Sequence, residues 1–386
     1  MEQSTAARSG VRRAAFRGWV EPLGFLAAFG LLFGLIGHVM GPANMINTMM
    51  NTAYRLLIDT VFYLLAITVL TGAISGLLSE FGVVDLFNRL LSPLMRPVFG
   101  LPGASALGLV TTYLSDNPAI LTLADNGSFR SCFRKYQIPA LTNLGTAFGM
   151  GLVVSTFMLA LGKGMGPAVA AGNLGAVVGA IVSTRLMLCA TAKALGKEDW
   201  CEGREDTGAE TRTKRSGGLR FLDAIMAGGK SGVEMGLSII PGVLIICTLV
   251  FLLTGTAGPE GVYTGAAFEG VGVLPWLGQK LSFVLCPLFG FTSPEAVAVP
   301  ITALGSAGAA IGLVPQLLRQ GMISPGDIAV FTAMCMCWSG YLSTHVAMMS
   351  SLGCPQFSGK AILSHTVGGI AAGVAAHLIY QLLVLL

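Results

Sequence analysis

Polar residues suited to binding a solute or an ion occur in a short turn between two apolar stretches. Ser115, Asp116 and Asn117 directly precede Pro118. Asp, Asn and Pro favour turns by themselves, so turn formation alone is one explanation for this cluster. The other explanation is function, because acids are costly to bury in a membrane and commonly bind substrates or ions there. On that interpretation all three residues contact a substrate, and Asp116 also binds a proton or a sodium ion.

A second polar cluster contains Thr292, Ser293 and Glu295, which follows Pro294. A carboxylate at a helix start stabilises the positive end of the helix dipole, which is a purely structural role. Alternatively, Glu295 is a second ion-coupling and substrate-binding residue, with Thr292 and Ser293 beside it. Hydroxyl groups at matching places are further candidate substrate ligands, although Ser and Thr also serve in helix packing. They are Thr112, Thr302 and Ser306.

Asn143, Trp338 and His345 are polar side chains within long apolar stretches. Trp338 and His345 are spaced so that a continuous helix would carry both on one face. A histidine in such a helix is commonly a hydrogen-bonded packing residue, and substrate contact is the alternative. We include all three residues in the predicted substrate site.

Two segments carry a basic residue followed four positions later by an acid. They are Arg55 with Asp59 and Lys230 with Glu234. At this spacing each pair lies on one helix face, where the two charges can interact. An ion pair that anchors a helix end at the membrane surface is one interpretation, and a gate or proton site is the other.

The sequence shows no nucleophile motif, phosphate-binding loop, dinucleotide fingerprint or pair of catalytic carboxylates. We therefore expect no enzymatic activity and no cofactor beyond a coupling sodium ion or proton. The eight cysteines lie mostly in apolar segments without a CxxC pair, which favours packing residues over metal ligands. The other histidines have no acid or cysteine at ligand spacing, so we expect no metal site.

The composition indicates an all-α polytopic membrane protein. Hydrophobic residues make up 53% of the chain and charged residues 11%, whereas a soluble domain carries roughly a quarter charged residues. The apolar stretches are continuous rather than alternating, which favours helices over a barrel. The net charge of +4 comes from basic residues scattered over loops, so we expect no nucleic-acid partner. This scatter suits a multi-pass protein with a cytoplasmic N-terminus.

One stretch of the chain occurs twice. The segments 93–114 and 283–304 each contain Pro, an apolar residue, Phe and Gly, followed by a short apolar limb, a polar turn and a second limb. Each limb is too short to cross a bilayer, which takes about 20 apolar residues. Two short limbs joined by a polar turn predict a re-entrant helical hairpin, here residues 99–126 and 288–318. Paired hairpins of this kind are typical of a transporter site near the membrane midplane.

The chain order predicts two inverted repeats and one additional N-terminal helix. Spanning segments are predicted at 19–39, 56–78, 138–161, 168–188, 233–253, 328–349 and 362–385. An interfacial helix is predicted at 83–94. The predicted domains are a disordered cytoplasmic tail at 1–17, an N-terminal helix and interfacial segment at 18–54, a first repeat at 55–192, a charged cytoplasmic linker at 193–229 and a second repeat at 230–386.

The run LSPLMRPVFGLPG, from Leu91 to Gly103, resembles the nucleoside-recognition or gate family of membrane proteins. The run PLFGFTSPE, from Pro287 to Glu295, resembles the same element. This family includes spore maturation proteins A and B, and similar gate segments occur in concentrative nucleoside transporters and in the ferrous-iron transporter. The resemblance covers most of the chain and implies two gate domains fused in one polypeptide. The GxxxxGK[ST] loop of a GTPase, which would accompany the iron transporter, does not occur in this sequence.

The resemblance implies a nucleoside as substrate, while an amino acid or short peptide stays open. We therefore predict a secondary active transporter of a small polar solute in the bacterial inner membrane, working by alternating access at the two hairpin tips. The competing hypothesis is a membrane scaffold that regulates an envelope or spore-maturation-like process. The expected partners are the solute and the lipid bilayer, with a homo-oligomer as a further possibility.

Overall fold

The computed structural model describes residues 2–117, 119–125, 127–201, 216–339 and 341–385. The chain divides into two compact units. The first comprises Met1–Tyr54 and Phe251–Val273, and the second comprises Arg55–Val250 and Leu274–Leu386. Within the described residues, regular structure is helical throughout, apart from one isolated bridge between Arg134 and Trp200. The all-α fold predicted from the sequence is therefore confirmed.

Nineteen α-helices account for most of the described residues. The first ten are α1 Glu2–Met40, α2 Pro42–Arg55, α3 Phe62–Glu80, α4 Val83–Leu94, α5 Ser105–Leu114, α6 Ala119–Asp125, α7 Gly127–Arg130, α8 Ile138–Phe148, α9 Gly151–Ala160 and α10 Met165–Leu195. The others are α11 Gly217–Pro241, α12 Thr248–Thr254, α13 Val273–Lys280, α14 Ser282–Phe289, α15 Ala298–Ala303, α16 Ala307–Arg319, α17 Pro325–Cys337, α18 Tyr341–Ser351 and α19 Ser358–Leu385.

Within the residues that the structure describes, six helical segments are long and apolar enough to cross a membrane. They are Trp19–Met40, Pro42–Glu80, Lys135–Ala160, Met165–Leu195, Gly217–Thr254 and Pro355–Leu385. Each corresponds to a span predicted from the sequence, so the chain is a multi-pass membrane protein. The seventh predicted span, 328–349, is instead two short helices, α17 and α18.

Three predicted segments differ from the helices of the structure. The segment before the second span, expected to be interfacial, is the helix α2, which continues through a π-helical turn at Leu56–Val61 into α3. The predicted N-terminal tail belongs to α1, which begins at Glu2, because its Ala and Arg residues favour helix. The linker predicted at 193–229 ends earlier in the structure, because α11 already begins at Gly217. Residues 202–215 of that linker lie outside the described residues.

Small residues allow two pairs of helices in the second unit to pack at backbone distance. Where α3 crosses α11, a Cβ on Gly72 would lie 2.4 Å from the carbonyl oxygen of Gly228. A Cβ on Gly232 would lie 2.2 Å from the carbonyl oxygen of Thr68. Glycine spaced by four residues is a common device for close helix packing in membranes. The crossing therefore depends on glycine at these positions.

The second pair, α10 and α19, packs antiparallel. A Cβ on Gly175 would lie 2.6 Å from the carbonyl oxygen of Ala372, and one on Gly179 would lie 2.6 Å from that of Gly368. Gly175 and Gly368 occupy the same position counted from the start of their helices, as do Gly179 and Ala372. The contact is therefore self-complementary, as a two-fold axis across the helices would require. This is the arrangement expected of an inverted repeat, which stays a prediction from the sequence.

The first unit has its own small core and one buried carboxylate. Ile36 and Met40 at the end of α1 pack with Leu252. Glu269, only 5% exposed, accepts hydrogen bonds from the Thr264 hydroxyl at 2.7 Å and from the Gly265 N–H at 3.0 Å. These bonds fix the irregular loop at 255–272.

Candidate functional site

The tip of the first hairpin is buried in the second unit. Helices α5 and α6 form the two limbs, and the turn between them contains Ser115, Asp116 and Asn117. The Asn117 N–H donates to Asp116 Oδ1 at 2.7 Å, which closes the turn locally. The Asn117 side chain is only 3% exposed and points away from the turn into contacts with other helices. The hairpin predicted at 99–126 is thus present at its core, although residues 118 and 126 lie outside the described residues.

Asn117 is held at the first of two helix breaks. Between α8 and α9 the chain leaves helical geometry at Gly149, and Met150 adopts φ 57°, in the left-handed region. A Cβ on Gly149 would lie 1.4 Å from Asn117 Oδ1. Only glycine therefore lets the hairpin tip approach this close. The span predicted as one continuous helix at 138–161 is interrupted here.

The second break, between α17 and α18, holds Asn117 from the other side. Asn117 Nδ2 donates to the carbonyl oxygen of Ser339 at 2.6 Å, and the Ser339 hydroxyl lies 3.0 Å from Asn117 Oδ1. The Ser339 hydroxyl also lies 3.1 Å from the carbonyl oxygen of Thr146 in α8. The hairpin tip is thus docked between two interrupted helices, where free backbone groups find partners inside the protein.

The break also changes the relation between Trp338 and His345. The prediction that they share one face of a single helix is wrong, because Trp338 ends α17 and His345 lies in α18. They nevertheless belong to one aromatic cluster. Trp338 Nε1 donates to the carbonyl oxygen of His365 at 3.2 Å, and the His345 and His365 rings are 4.6 Å apart between centroids.

A buried polar network continues from this cluster. His345 Nε2 lies 3.3 Å from Thr146 Oγ1, and the Ser183 hydroxyl lies 2.7 Å from His365 Nδ1. Asn143 Nδ2 donates to Ser183 Oγ at 2.8 Å. All five of these side chains are fully buried. Two of their polar atoms, Asn143 Oδ1 and His345 Nδ1, have no hydrogen-bond partner within the described residues.

A cavity of about 430 Å³ lies on the opposite side of the hairpin tip. It is formed by α3, α11, the first hairpin and α9, and Ser115 lines it. Three more serines line it, namely Ser75, Ser79 and Ser231. Within the described residues, none of the four serine side chains has a hydrogen-bond partner. Among the lining residues that the structure describes, none is charged or aromatic. The volume lies in the range of small-molecule sites, roughly 300–1,000 Å³.

Other predicted site residues serve local structure. The hydroxyls of Thr112 and Thr302 bond carbonyl oxygens of their own helices, to Gly108 and Ala298 respectively, each at 2.7 Å. Ser306 lies at the tip of the second hairpin, where its side chain caps α16 by accepting from the Ala309 N–H at 3.2 Å. None of these three hydroxyls reaches the first hairpin's cavity.

The second polar cluster lies at the base of the second hairpin rather than at its tip. Thr292 bonds Asp327 through both its N–H, at 3.0 Å, and its hydroxyl. Ser293 Oγ is buried without a partner in the described structure. Glu295 lies in a 3₁₀ turn that precedes α15 and is half-buried. The structure therefore brings none of the three to the docked tip at Asn117.

The predicted gate pairs do not form ion pairs in the described structure. Arg55, Asp59, Lys230 and Glu234 are all exposed, and neither acid is bonded to its basic neighbour. The first pair fails because a π-helical turn begins at Leu56, which alters the four-residue spacing. The second pair lies on a regular helix, where an exposed pair gains only about 0.3–0.5 kcal/mol.

Four residues of the described structure that contact predicted site residues were not predicted from the sequence: Thr146, Ser183, His365 and Asp327. Asp327 is fully buried and accepts from the Ser324 N–H at 2.8 Å. The signal for Asp327 was present, because Ser followed three positions later by an acid is a capping box. For the other three residues no local signal exists, since each acquires its role from a neighbour distant in sequence. Ser339 was recognised as part of a polar stripe around Trp338 and His345, but its bond to the hairpin tip was not predicted.

Comparisons with known proteins identify the fold. No protein-family model and no curated protein matches the chain. Among solved structures, the chain is similar to the concentrative nucleoside transporter CNTnw in its inward-facing substrate-bound state, with a TM-score of 0.55, 13% identity and coverage of 95% of this chain and 87% of that one. A CNTnw double variant in an outward-facing state gives a TM-score of 0.54 at 14% identity, covering 96% and 86%. The likeness shows that this chain has a fold like that of concentrative nucleoside transporters.

Proposed function

We propose that this protein is a secondary transporter that carries a small polar solute across the membrane by alternating access. The observation that supports this most is the position of the first hairpin tip. Ser115 faces the cavity, while Asn117 is docked between the two helix breaks. Interrupted helices and hairpin tips near the midplane are the typical elements of transporter binding sites. A movement of this tip would change the cavity and the buried network together.

The cavity favours an uncharged solute rich in hydroxyl groups. An amino acid or a short peptide would place an ammonium and a carboxylate in the cavity, and buried charges require paired partners. No lining residue carries a charge, whereas four serine hydroxyls are available to bind hydroxyl or carbonyl groups. The fold supports the same class, since CNTnw is a nucleoside transporter by name. We therefore propose a nucleoside-like solute.

Coupling to a proton or to sodium completes the proposal. Of the two predicted acids, Asp116 is the better candidate because it lies in the hairpin tip itself. Glu295 lies at the base of the other hairpin, and a role for it would require movement of that element. We further propose a bacterial inner-membrane location with a cytoplasmic N-terminus. A homo-oligomer is compatible with the lipid-exposed helix faces.

A ligand-binding experiment tests the solute class. The purified protein in detergent is heated with nucleosides, nucleobases, amino acids or dipeptides, because a ligand that binds the folded state raises Tm. We expect a saturable rise with nucleosides that is reduced in a Ser115→Ala, Ser231→Ala double variant. Ser238→Ala is the matched control, since Ser238 lies on the same helix outside the cavity and bonds its own helix backbone. A rise with amino acids alone would contradict the proposed class, and no rise at all would favour the scaffold hypothesis.

A further inference from the structure

The two buried histidines differ in one respect that bears on ion coupling. His365 has partners at both ring nitrogens, because Nδ1 lies 2.7 Å from the Ser183 hydroxyl and Nε2 bonds the carbonyl oxygen of Cys337. A carbonyl only accepts, so Nε2 of His365 carries the proton and Nδ1 accepts from Ser183. Ser183 Oγ in turn accepts from Asn143 Nδ2. This chain of donors leaves His365 neutral and without a free lone pair.

His345 has a free lone pair in the same network. The Thr146 hydroxyl donates to the carbonyl oxygen of Thr142 at 2.8 Å. It therefore accepts from His345, whose Nε2 carries the proton. His345 Nδ1 is then an unprotonated acceptor, and it has no partner among the described atoms although the residue is fully buried. Buried polar atoms without partners are uncommon and call for an explanation.

We propose that His345 Nδ1 is the site at which the transporter binds its coupling proton. This inference rests on the proposed transport function, names a proton as its coupling ion and assigns that proton to His345 in place of Asp116. The step is the binding of one proton to the Nδ1 lone pair, which turns the neutral ring into an imidazolium without breaking another bond.

Protonation at this position opposes docking of the hairpin tip. His345 lies in the first turns of α18, where the helix dipole disfavours a positive charge. The His365 ring is 4.6 Å away between centroids and supplies no negative charge. Asn117 of the docked tip bonds Ser339, and the Ser339 hydroxyl bonds the backbone of Thr146, whose side chain contacts His345. Undocking of the tip removes the first of these contacts and would open the network to water, where the proton is accommodated better. By linkage, a proton that favours the undocked tip is also bound more readily when the tip is undocked.

The surroundings of His345 contain few other groups that could take this role. From the helices packed against it, and from the docked tip, the titratable groups are Tyr341 of α18, Cys337 of α17, His365 of α19 and Asp116 of the hairpin. Helix α8 contributes the neutral side chains Asn143 and Thr146. Histidine is the residue type whose ordinary titration falls near neutral pH. Both ring nitrogens of His365 already have partners, which leaves His345.

The test uses wild-type protein and two variants in proteoliposomes, with tritiated uridine as the probe. His345→Gln keeps a side-chain donor but cannot bind the proton, and His377→Gln changes a histidine of α19 outside the network. Exchange of uridine without a pH gradient measures solute movement, and uptake against an acid-outside gradient measures coupling. We expect His345→Gln to lose gradient-driven accumulation, together with any pH dependence that wild-type exchange shows. His377→Gln should retain both. Gradient-driven accumulation by His345→Gln equal to that of wild type would overturn the inference. So would uridine accumulation by wild type that responds to a sodium gradient but not to a pH gradient.

A second measurement separates this inference from the transport proposal. If wild-type protein neither exchanges nor accumulates uridine, the proposed solute class or function fails. Proton binding is then followed by NMR of ¹³C-labelled histidine, since the chain contains 4 histidines and each signal is assigned by substitution. A signal that is lost in His345→Gln and shifts reversibly with pH supports the inference, and its midpoint should lie below the ordinary histidine value of about 6.5 because the ring is buried. A His345 signal that does not shift over the pH range in which the protein stays folded refutes it.

Discussion

Removal of the Asn117 side chain should release the first hairpin tip without unfolding the protein. Asn117 contributes two hydrogen bonds to Ser339, at 2.6 Å to its carbonyl oxygen and at 3.0 Å to its hydroxyl. A buried hydrogen bond contributes about 1 kcal/mol net, so Asn117→Ala should weaken docking by about 2 kcal/mol. That loss raises the ratio of undocked to docked tip about 30-fold.

Hydrogen–deuterium exchange of the tip peptide measures this ratio directly. When opening and closing are fast, the exchange rate of an amide follows the population of its open state. Asn117→Ala should therefore speed exchange in the tip peptide about 30-fold, while peptides distant from the tip keep their wild-type exchange rates. Ser115→Ala is the matched control, because it alters the same turn at a hydroxyl without a described partner. Exchange in Asn117→Ala within about twofold of Ser115→Ala would refute the docking argument.

Three further predictions follow from close contacts and from one buried charge. Gly228→Ala places a Cβ 2.3 Å from a carbonyl oxygen of α3 and should cost about 1–3 kcal/mol of stability. In the control Gly229→Ala the new Cβ meets its nearest atom at 3.9 Å, so Tm should be unchanged or raised. Equal Tm values for the two variants would contradict the close crossing of α3 and α11. Gly149→Ala fits its own backbone angles but clashes with the docked tip at 1.4 Å, so it should speed exchange in the tip peptide at least as much as loss of the Asn side chain does. Burial alone would raise the pKa of Glu269, but hydrogen bonds from the loop backbone and from a threonine hydroxyl outweigh it and lower the pKa from its usual 4.5. The stabilising effect of the ionised carboxylate is thus present above pH 4.5 and lost as the pH falls through the lower folded-state pKa. Tm should therefore fall less steeply on acidification in Glu269→Gln than in wild type. Parallel curves of Tm against pH for the two proteins would refute the stabilising role of Glu269.

The lengths of the apolar segments and the turn-forming residues were sufficient to predict most of the fold. The interfacial helix predicted at 83–94 is α4, with the same bounds, because Gly82 and the polar positions of this segment mark its start and its two faces. The turn of the first hairpin was predictable for a similar reason, since Asp116 and Asn117 favour turns wherever they occur. Such features are determined by residues close in sequence, and a local pattern is sufficient to find them.

The helix breaks and the histidine network were not predictable in this way. Gly149, Met150 and Ser339 are ordinary in an apolar run, and nothing local distinguishes an interrupted helix from a continuous one. The break at Ser339 is stabilised by Asn117, which is distant in the chain. Likewise, His365 gains its significance only where α10, α17 and α18 pack around it. Tertiary contact, rather than composition, selects these residues.

Counterflow uptake into proteoliposomes tests the central claim most directly. Vesicles preloaded with unlabelled uridine are diluted into tritiated uridine, and wild-type protein is compared with Asn117→Ala and with protein-free vesicles. The account predicts that wild type accumulates labelled uridine transiently and that other nucleosides compete with this uptake. It also predicts that Asn117→Ala, in which the hairpin tip is released, takes up uridine at a rate different from that of wild type. Folded wild-type protein that accumulates no nucleoside, amino acid or dipeptide above protein-free vesicles would contradict the claim that this chain is a transporter.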